Sequence, residues 1–356
     1  MKQQHHNKSY KLRVTSYKFK NKEKLLTHHG LRIMQHGFSL VELMIAIFIG
    51  VIIIGATYAA YISQERSFAS QDQVAEMNTS SKIALDMIAS DIREAGFGLA
   101  GAGTFNINGF TNAITATDSS TAPDMITLVG GLRRAGTLCS NSAGTAIDPG
   151  DTQFMLVSTS GGKSLSNINT TDKRNITFAG LSFGVVTAVN NTTGMITLQN
   201  SIGKTFPQYT DLNGDGNCDD GEGVPVYVVE DTTYQVVGTE LQRVRRMNCA
   251  IFGGGPNCDD TDVIAGNIDD FQIRYGYDTD NNGVINPATE YYDLPPGTDR
   301  LLRIRVNILA RTARLDPNFE GQGSLPAAIE NRNHAAINDS FRRRWWQMAV
   351  DLRNPI

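Results

Sequence analysis

The sequence predicts an α+β protein: a long N-terminal helix, transmembrane in its first half, followed by a β-rich globular head. Three observations carry this. From Leu43 to Ile62 there are 20 residues without a charge, enough to cross a bilayer as a helix. No proline occurs between Phe38 and Gly96, so nothing in the backbone chemistry stops a helix at the membrane edge. From residue 104 onward Ser, Thr, Asn and Gly dominate and apolar residues fall in short runs, the pattern of strands joined by turns.

Residues 1–37 hold nine Lys/Arg and one acid, Glu23, a charge of +8. The remaining chain has 23 basic and 35 acidic residues, a charge of −12. A basic segment ahead of an apolar helix keeps the N-terminus on the cytoplasmic side, which places the acidic body across the membrane. Met34 is a second candidate start, which would leave a leader of Met34-Gln35-His36-Gly37. Five of the six histidines lie in residues 1–37, so the rest of the chain has His334 alone.

The apolar run opens with Gly37-Phe38-Ser39-Leu40-Val41-Glu42, and Glu42 is a lone carboxylate at its head. Such a group costs about 2.5–3.5 kcal/mol at the membrane centre and less near the edge, so it calls for a reason. A first-turn carboxylate complements the helix dipole, whereas a free amine there opposes it. Phe38 and Glu42 are one turn apart on one face. Gly50 and Gly55 each weaken the membrane half by about 1 kcal/mol relative to alanine. They mark either a place of unwinding or close helix packing.

This stretch resembles the type IV prepilin signal, a basic leader ending in glycine, then Phe-Ser/Thr-Leu-Val-Glu and an apolar helix. The resemblance implies that a membrane-bound prepilin peptidase cuts between Gly37 and Phe38 and methylates the new amine. It also implies that Glu42 meets the amine of a neighbouring subunit in a fibre. Major pilins usually carry a proline in the helix, and its absence here is a departure.

Beyond the membrane, Met77, Leu85, Ile88, Ile92 and Ala95 keep helical spacing with Ser81 as the one weak step, while Asp72, Glu76, Lys82, Asp86, Asp91 and Arg93 mostly take the other side. An apolar first half and an amphipathic second half suit a helix held in a membrane at one end and packed on a domain at the other. The expected organisation is therefore a leader at 1–37, a transmembrane and fibre-core helix at 38–62, its amphipathic continuation at 63–95, and the head at 96–356.

Gly96-Phe97-Gly98 ends the helix. Strands are expected at Met125–Val129, Phe154–Ser158, Ile176–Ala179, Phe183–Val189, Met195–Leu198, Val224–Val229, Tyr234–Val237, Phe271–Tyr277, Leu302–Ala310 and Trp345–Leu352. Alternation is clearest in Arg303-Ile304-Arg305-Val306-Asn307-Ile308. About 250 residues suffice for one large core or two smaller ones. No internal repeat is visible.

The four cysteines, Cys139, Cys218, Cys249 and Cys258, all fall in the head. An even number in an exported domain fits two disulfides. Of three possible pairings, Cys249–Cys258 is favoured because it closes a short Gly-rich loop, leaving Cys139–Cys218. A zinc site is disfavoured, since no pair has CxxC spacing and one histidine remains.

Residues 211–222 match the calcium-loop template: Asp211, Asn213 and Asp215 at positions 1, 3 and 5, Gly216 at 6, the Asn217 carbonyl at 7 and Glu222 at 12. The competing reading is a solvated acidic turn. A second, weaker loop begins Asp278, Asp280, Asn282, but its acid, Glu290, falls at position 13, and Asn282-Gly283 is itself a hairpin signal. Calcium is thus the one cofactor expected.

The second loop follows Phe271-Gln272-Ile273-Arg274-Tyr275-Gly276-Tyr277. That passage, the helix end Asp91-Ile92-Arg93-Glu94-Ala95-Gly96-Phe97-Gly98, and the C-terminus Phe341–Asn354 are similar to the PilW group of minor pilins. The resemblance implies a minor pilin that primes assembly and sits near the pilus tip, with other minor and major pilins and the inner membrane as partners. It implies an inner-membrane, single-pass protein before assembly and an extracellular fibre subunit after it. A minor pseudopilin of a type II secretion system, which uses the same signal, is the alternative. A calcium-stabilised adhesive or DNA-binding tip is another.

Arg342-Arg343-Arg344-Trp345-Trp346 has the residue types of a nucleic-acid site, but an acidic body repels DNA unless a basic face is segregated. A final strand is the expected role, and DNA is not an expected partner. No catalytic constellation is legible: a nucleophile–histidine site would have to use His334, in a polar Asn-rich stretch. Neither an enzymatic activity nor a small-molecule substrate is expected.

Overall fold

The computed structural model describes residues 39–99, 110–170, 174–215, 217–219, 221–245, 260–294, 300–316, 319, 327–334 and 339–353. The chain divides into two compact units, residues 1–62 and Ser63–Ile356. The protein is α+β, with one long apolar N-terminal helix followed by a β-rich head.

The helix α1 (Leu40–Glu94) has 55 residues. In the first unit its apolar side chains are exposed all round, from Leu40 at 74% to Ile54 at 70%. It runs unbroken through Gly50 and Gly55. Thr57 donates its hydroxyl to the Ile53 carbonyl at 2.7 Å, which satisfies this polar group within the helix itself.

In the second unit the same helix buries one stripe: Met77, Ser81, Leu85, Ile88 and Ile92. Ser81, the weak step of the pattern, is buried with its apolar neighbours. The stripe packs on two sheets. One is a four-stranded antiparallel sheet of β10 (Ile268–Asp278), β11 (Tyr291–Tyr292), β12 (Arg300–Arg311) and β15 (Arg343–Asp351), in the order β11-β10-β12-β15. Its inner face carries Phe271, Ile273, Tyr275, Ile304, Val306 and Ile308, the alternate residues of β10 and β12, as a two-residue period requires.

The outer face of this sheet is polar and is covered by the hairpin β13 (Ala328–Ile329) and β14 (Arg332–Asn333). Glu330 at the hairpin turn has φ 53°, a left-handed conformation uncommon outside Gly and Asn. Its carboxylate accepts hydrogen bonds from Arg305 at 2.6 Å and from the Asn307 amide at 2.8 Å. These contacts hold the turn in place.

The second sheet contains β1 (Ile114–Thr117), β2 (Met125–Asn141), β3 (Gln153–Ser158), β4 (Asn175–Phe178), β5 (Ser182–Asn190), β6 (Met195–Leu198), β7 (Val224–Val237), β8 (Glu240–Arg245) and β9 (Asp260–Gly266). Their order is β1-β2-β3-β6-β5-β4-β7-β8-β9, and β2 also pairs with β7. That extra pairing closes β2-β3-β6-β5-β4-β7 into a six-stranded antiparallel ring. The ring encloses its own core of Leu138, Phe154, Leu156, Ile176, Phe178 and Ile196. Phe178 touches both Phe154 and Phe206, with ring centroids 5.7 and 6.1 Å apart.

The strands β2 and β7 serve both cores. Ile126 and Leu128 of β2 and Tyr234 of β7 face the helix, whereas Leu138, Val226 and Val228 line the barrel. Between them the register breaks at Gly130/Arg133 and again at Arg134/Gly136. Bulges of this kind bend a strand and raise its twist, which lets one strand pass from a layer into a barrel. The helix end docks at this bend. Gly96 donates to the Val129 carbonyl at 2.9 Å and Gly131 to the Phe97 carbonyl at 2.7 Å. A Cβ on Gly130 would lie 2.8 Å from the Glu94 carbonyl oxygen, so glycine is needed where the helix meets β2.

Several sequence expectations change here. The expected strand Met125–Val129 continues to Asn141, because the Gly130-Gly131 pair permits close approach instead of ending the strand. The expected pair Val224–Val229 and Tyr234–Val237 is one strand, carried through the buried polar residues Asp231, Thr232 and Thr233. The last strand begins at Arg343. The strands β8 and β9 were not expected.

Candidate functional site

Glu42 lies in the first turn of α1, and the helix opens with the Leu43 N–H donating to the Ser39 carbonyl at 3.1 Å. Gly37 and Phe38 lie outside the described residues. The run Leu40 to Ile54 is the largest exposed apolar surface among the described residues, and a continuous surface of this kind marks a membrane or protein contact. Leu40–Glu94 is the one described helix long and apolar enough to cross a membrane.

The helix is locked to the head by more than apolar packing. The Tyr234 hydroxyl donates to Asp91 at 2.5 Å. Burial, together with the Asp91 carboxylate, pushes the Tyr234 phenol well above its usual range. Sequence reading placed Asp91 on the exposed side of the helix; the signal missed was that Tyr234 shares a face of β7 with Thr232.

Cys139 and Cys218 form a disulfide with a Cα–Cα distance of 5.9 Å. It ties the connection before β7 to β2. Cys249 and Cys258 lie outside the described residues, so their expected pairing does too.

The two acidic loops differ. In residues 211–222 each described carboxylate turns onto its own loop. Asp211 accepts the Gly214 N–H at 2.6 Å, Asp215 accepts the Asn217 N–H at 2.7 Å, and Glu222 accepts the Leu212 and Asp219 N–H groups at 2.8 and 3.0 Å. Asn213 donates its amide to Asp219 at 2.9 Å. Gly216 and Asp220 are outside the described residues. Among the described residues this loop gathers no group of three acidic ligands.

In the second loop the carboxylate oxygens of Asp278, Asp280 and Glu290 all lie within 4.8 Å of one another. Asp278 and Glu290 are buried. Asn282 instead donates its amide to Asp280 at 2.7 Å and accepts the Val284 N–H at 2.7 Å. Glu290, one place off the template, is brought in because its backbone carbonyl accepts the Tyr277 N–H at 3.0 Å. The Asn286 N–H, the Thr279 hydroxyl and the Thr279 N–H hold its carboxyl below the usual range. The donors are all hard oxygens, which suits calcium and not zinc.

His334 Nε2 lies 3.0 Å from Oδ2 of the fully buried Asp270 without a hydrogen bond between them, and Arg332 pairs with the other oxygen of that carboxylate. Arg332 therefore fastens the β13–β14 hairpin to β10. The C-terminal arginines are committed as well. Arg342 pairs with Asp316 at 2.8 Å, and Arg343 pairs with Asp269 and Asp339, each at 2.6 Å. The Arg344 guanidinium stacks 4.3 Å from the Trp346 ring centroid. They were expected to be solvated; the acidic neighbours supply partners that the sequence order hides. Trp345 is 42% exposed and Trp346 half-buried.

A long helix, apolar and exposed at its start and packed at its end on an antiparallel sheet, defines a type IV pilin-like protein. Two family models match the chain. Residues 32–58 match the prokaryotic N-terminal methylation motif, and residues 226–354 match PilW, the type IV pilus-assembly protein W. The chain is thus similar to type IV pilins in its N-terminal segment and to PilW in the region that includes the sheet receiving the helix. No curated protein matches. Among solved structures, a type IV-like pilin from Thermus thermophilus is similar at 11% identity, covering 78% of this chain and 96% of that one, with a TM-score of 0.34.

Proposed function

We propose that this chain is a minor pilin of a type IV pilus that contributes to priming of the fibre near its tip. One observation carries the reading: a prepilin-type N-terminus and a PilW region occur on one chain. A prepilin peptidase would release residues 1–37 and leave N-methylated Phe38. The helix would hold the protein in the inner membrane with its N-terminus cytoplasmic, the arrangement the basic leader favours. On extraction the exposed apolar half would pack among the helices of other minor and major pilins. Glu42 would meet a neighbouring subunit's amine, removing two charges from an apolar fibre core at once.

The test is fibre incorporation. In the native host the protein should appear in sheared pili beginning at Phe38, and Glu42→Val should still insert in the membrane but be lost from pili. Normal incorporation of Glu42→Val would remove the proposed amine–carboxylate pairing. Absence of the wild-type protein from pili would remove the pilin reading.

The convergence of Asp278, Asp280 and Glu290 favours a calcium-stabilised head as an addition to this reading. Calcium would neutralise three carboxylates held within 4.8 Å, whose mutual repulsion otherwise opposes the folded loop.

A further inference from the structure

The two large cores of the head share only the strands β2 and β7 among the described residues. The helix packs on β10, β12 and β15 and on the near halves of β2 and β7. Among the described residues, the barrel core contains none from the helix. The strands of the barrel enter and leave the body side by side, since Arg134 of β2 is in register with Tyr227 of β7. The disulfide closes the segment just inside that point, joining Cys139 to Cys218 across 79 residues. The PilW match begins at residue 226 and the methylation motif ends at 58, so the barrel segment up to residue 225 lies outside both.

We infer that residues 135–226 are a self-cored module inserted into a pilin body, dispensable for folding of that body and for its entry into the fibre. This inference rests on the pilin reading above. The physical ground is closure. A ring of six antiparallel strands satisfies its own backbone groups and buries its own side chains, so it takes little from the body. What it does take is confined to the helix end, the strand bend and the first residues of β7 beyond it, where Ile176 and Thr177 of β4 pair with Val228 and Tyr227 and Val228 fills the barrel core. Phe97 packs edge-on against Tyr227 with centroids 5.1 Å apart, Gly98 lies against Thr177, and Phe183 packs beside Val129 and Val229. Because Arg134 and Tyr227 are paired, a two-residue turn can join them without moving either strand. Tyr227 then stays to cover Phe97.

In the full chain, residues 135–226 are replaced by Asn-Gly, and the variant is expressed in the native host beside wild type. The variant should melt cooperatively and appear in sheared pili with no loss relative to wild type. If wild type enters pili and a cooperatively folded variant does not, the barrel is part of assembly and the inference is overturned while the pilin reading stands. If wild type itself is absent from pili, the pilin reading fails and the inference falls with it. Should the excised chain fail to fold, Phe178→Asp opens the barrel in place. Protease cleavage should then be confined to 135–226, with incorporation retained. Cleavage spreading into the β10–β12 sheet, or loss from pili, overturns the inference.

Discussion

The two cores of the head solve the same problem in opposite ways. The body is a layer: its sheet buries one face on the helix and covers the other with a hairpin held by ion pairs. The barrel has no covering element and closes on itself. The layer is therefore only as stable as its contact with α1, whereas the barrel depends on a ring of pairings and one covalent tie. The difference separates the part of the chain that contacts α1 from the part that packs on itself.

The comparison is broken most directly by opening each core in turn. Phe178→Ala should cost about 3–5 kcal/mol and Ile88→Ala about 2–5 kcal/mol. Measured by denaturant unfolding with probes in each region, the first should loosen the barrel alone and the second the layer alone. Equal loss at both probes would mean that the head unfolds as one unit. Removing the disulfide with Cys139→Ser and Cys218→Ser should cost about 2–4 kcal/mol. That loss should register at the barrel probe and leave the layer probe unchanged.

A calcium titration sharpens the contrast, because one acidic loop lies in the barrel's closing connection and the other in the layer. A bound ion stabilises by about 2.7 kcal/mol at a hundredfold excess over Kd. The rise in Tm should disappear in Glu290→Gln and persist in Glu222→Gln. The reverse result would return the site to the loop that fits the sequence template.

The smallest effect belongs to Asp124, at the start of β2. Burial raises its pKa to about 7, against hydrogen bonds from the Ile273 and Ser119 N–H groups that lower it. Asp118 and Asp270 raise it further. A carboxyl with a raised folded pKa contributes stability that is complete below its unfolded value near 3.8 and is lost as pH rises through about 7. Tm at the layer should therefore fall between pH 5 and pH 8, and Asp124→Asn should flatten that slope.

The layer was largely legible in the sequence and the barrel was not. Alternation in Arg303–Ile308 and the stripe Met77–Ile92 each face a single buried surface, so period alone reveals them. In β2 the inward positions belong to the helix side up to Leu128 and to the barrel beyond Ala135. The Gly-Gly and Arg-Arg pairs at the bend look like a break. Closure is invisible for a further reason: it depends on β2 meeting β7, about 90 residues later in the chain. The processing signal was plain because it is a local chemical pattern. The two acidic loops rank differently by template and by geometry, because a template counts positions along the chain while convergence depends on which backbone groups pair. A single hydrogen bond from Tyr277 to the Glu290 carbonyl compensates for the extra residue.

A closed ring also has no first or last strand. Open sheets end in rows of unpaired N–H and C=O groups, and these invite addition of strands from other chains. Where many subunits crowd together outside the cell, such edges decide whether neighbours dock in order or aggregate. Among the described residues the edges belong to the layered part, at β1, β9, β11 and β15 and in the hairpin β13–β14. Any sheet continued from one subunit into the next must begin there.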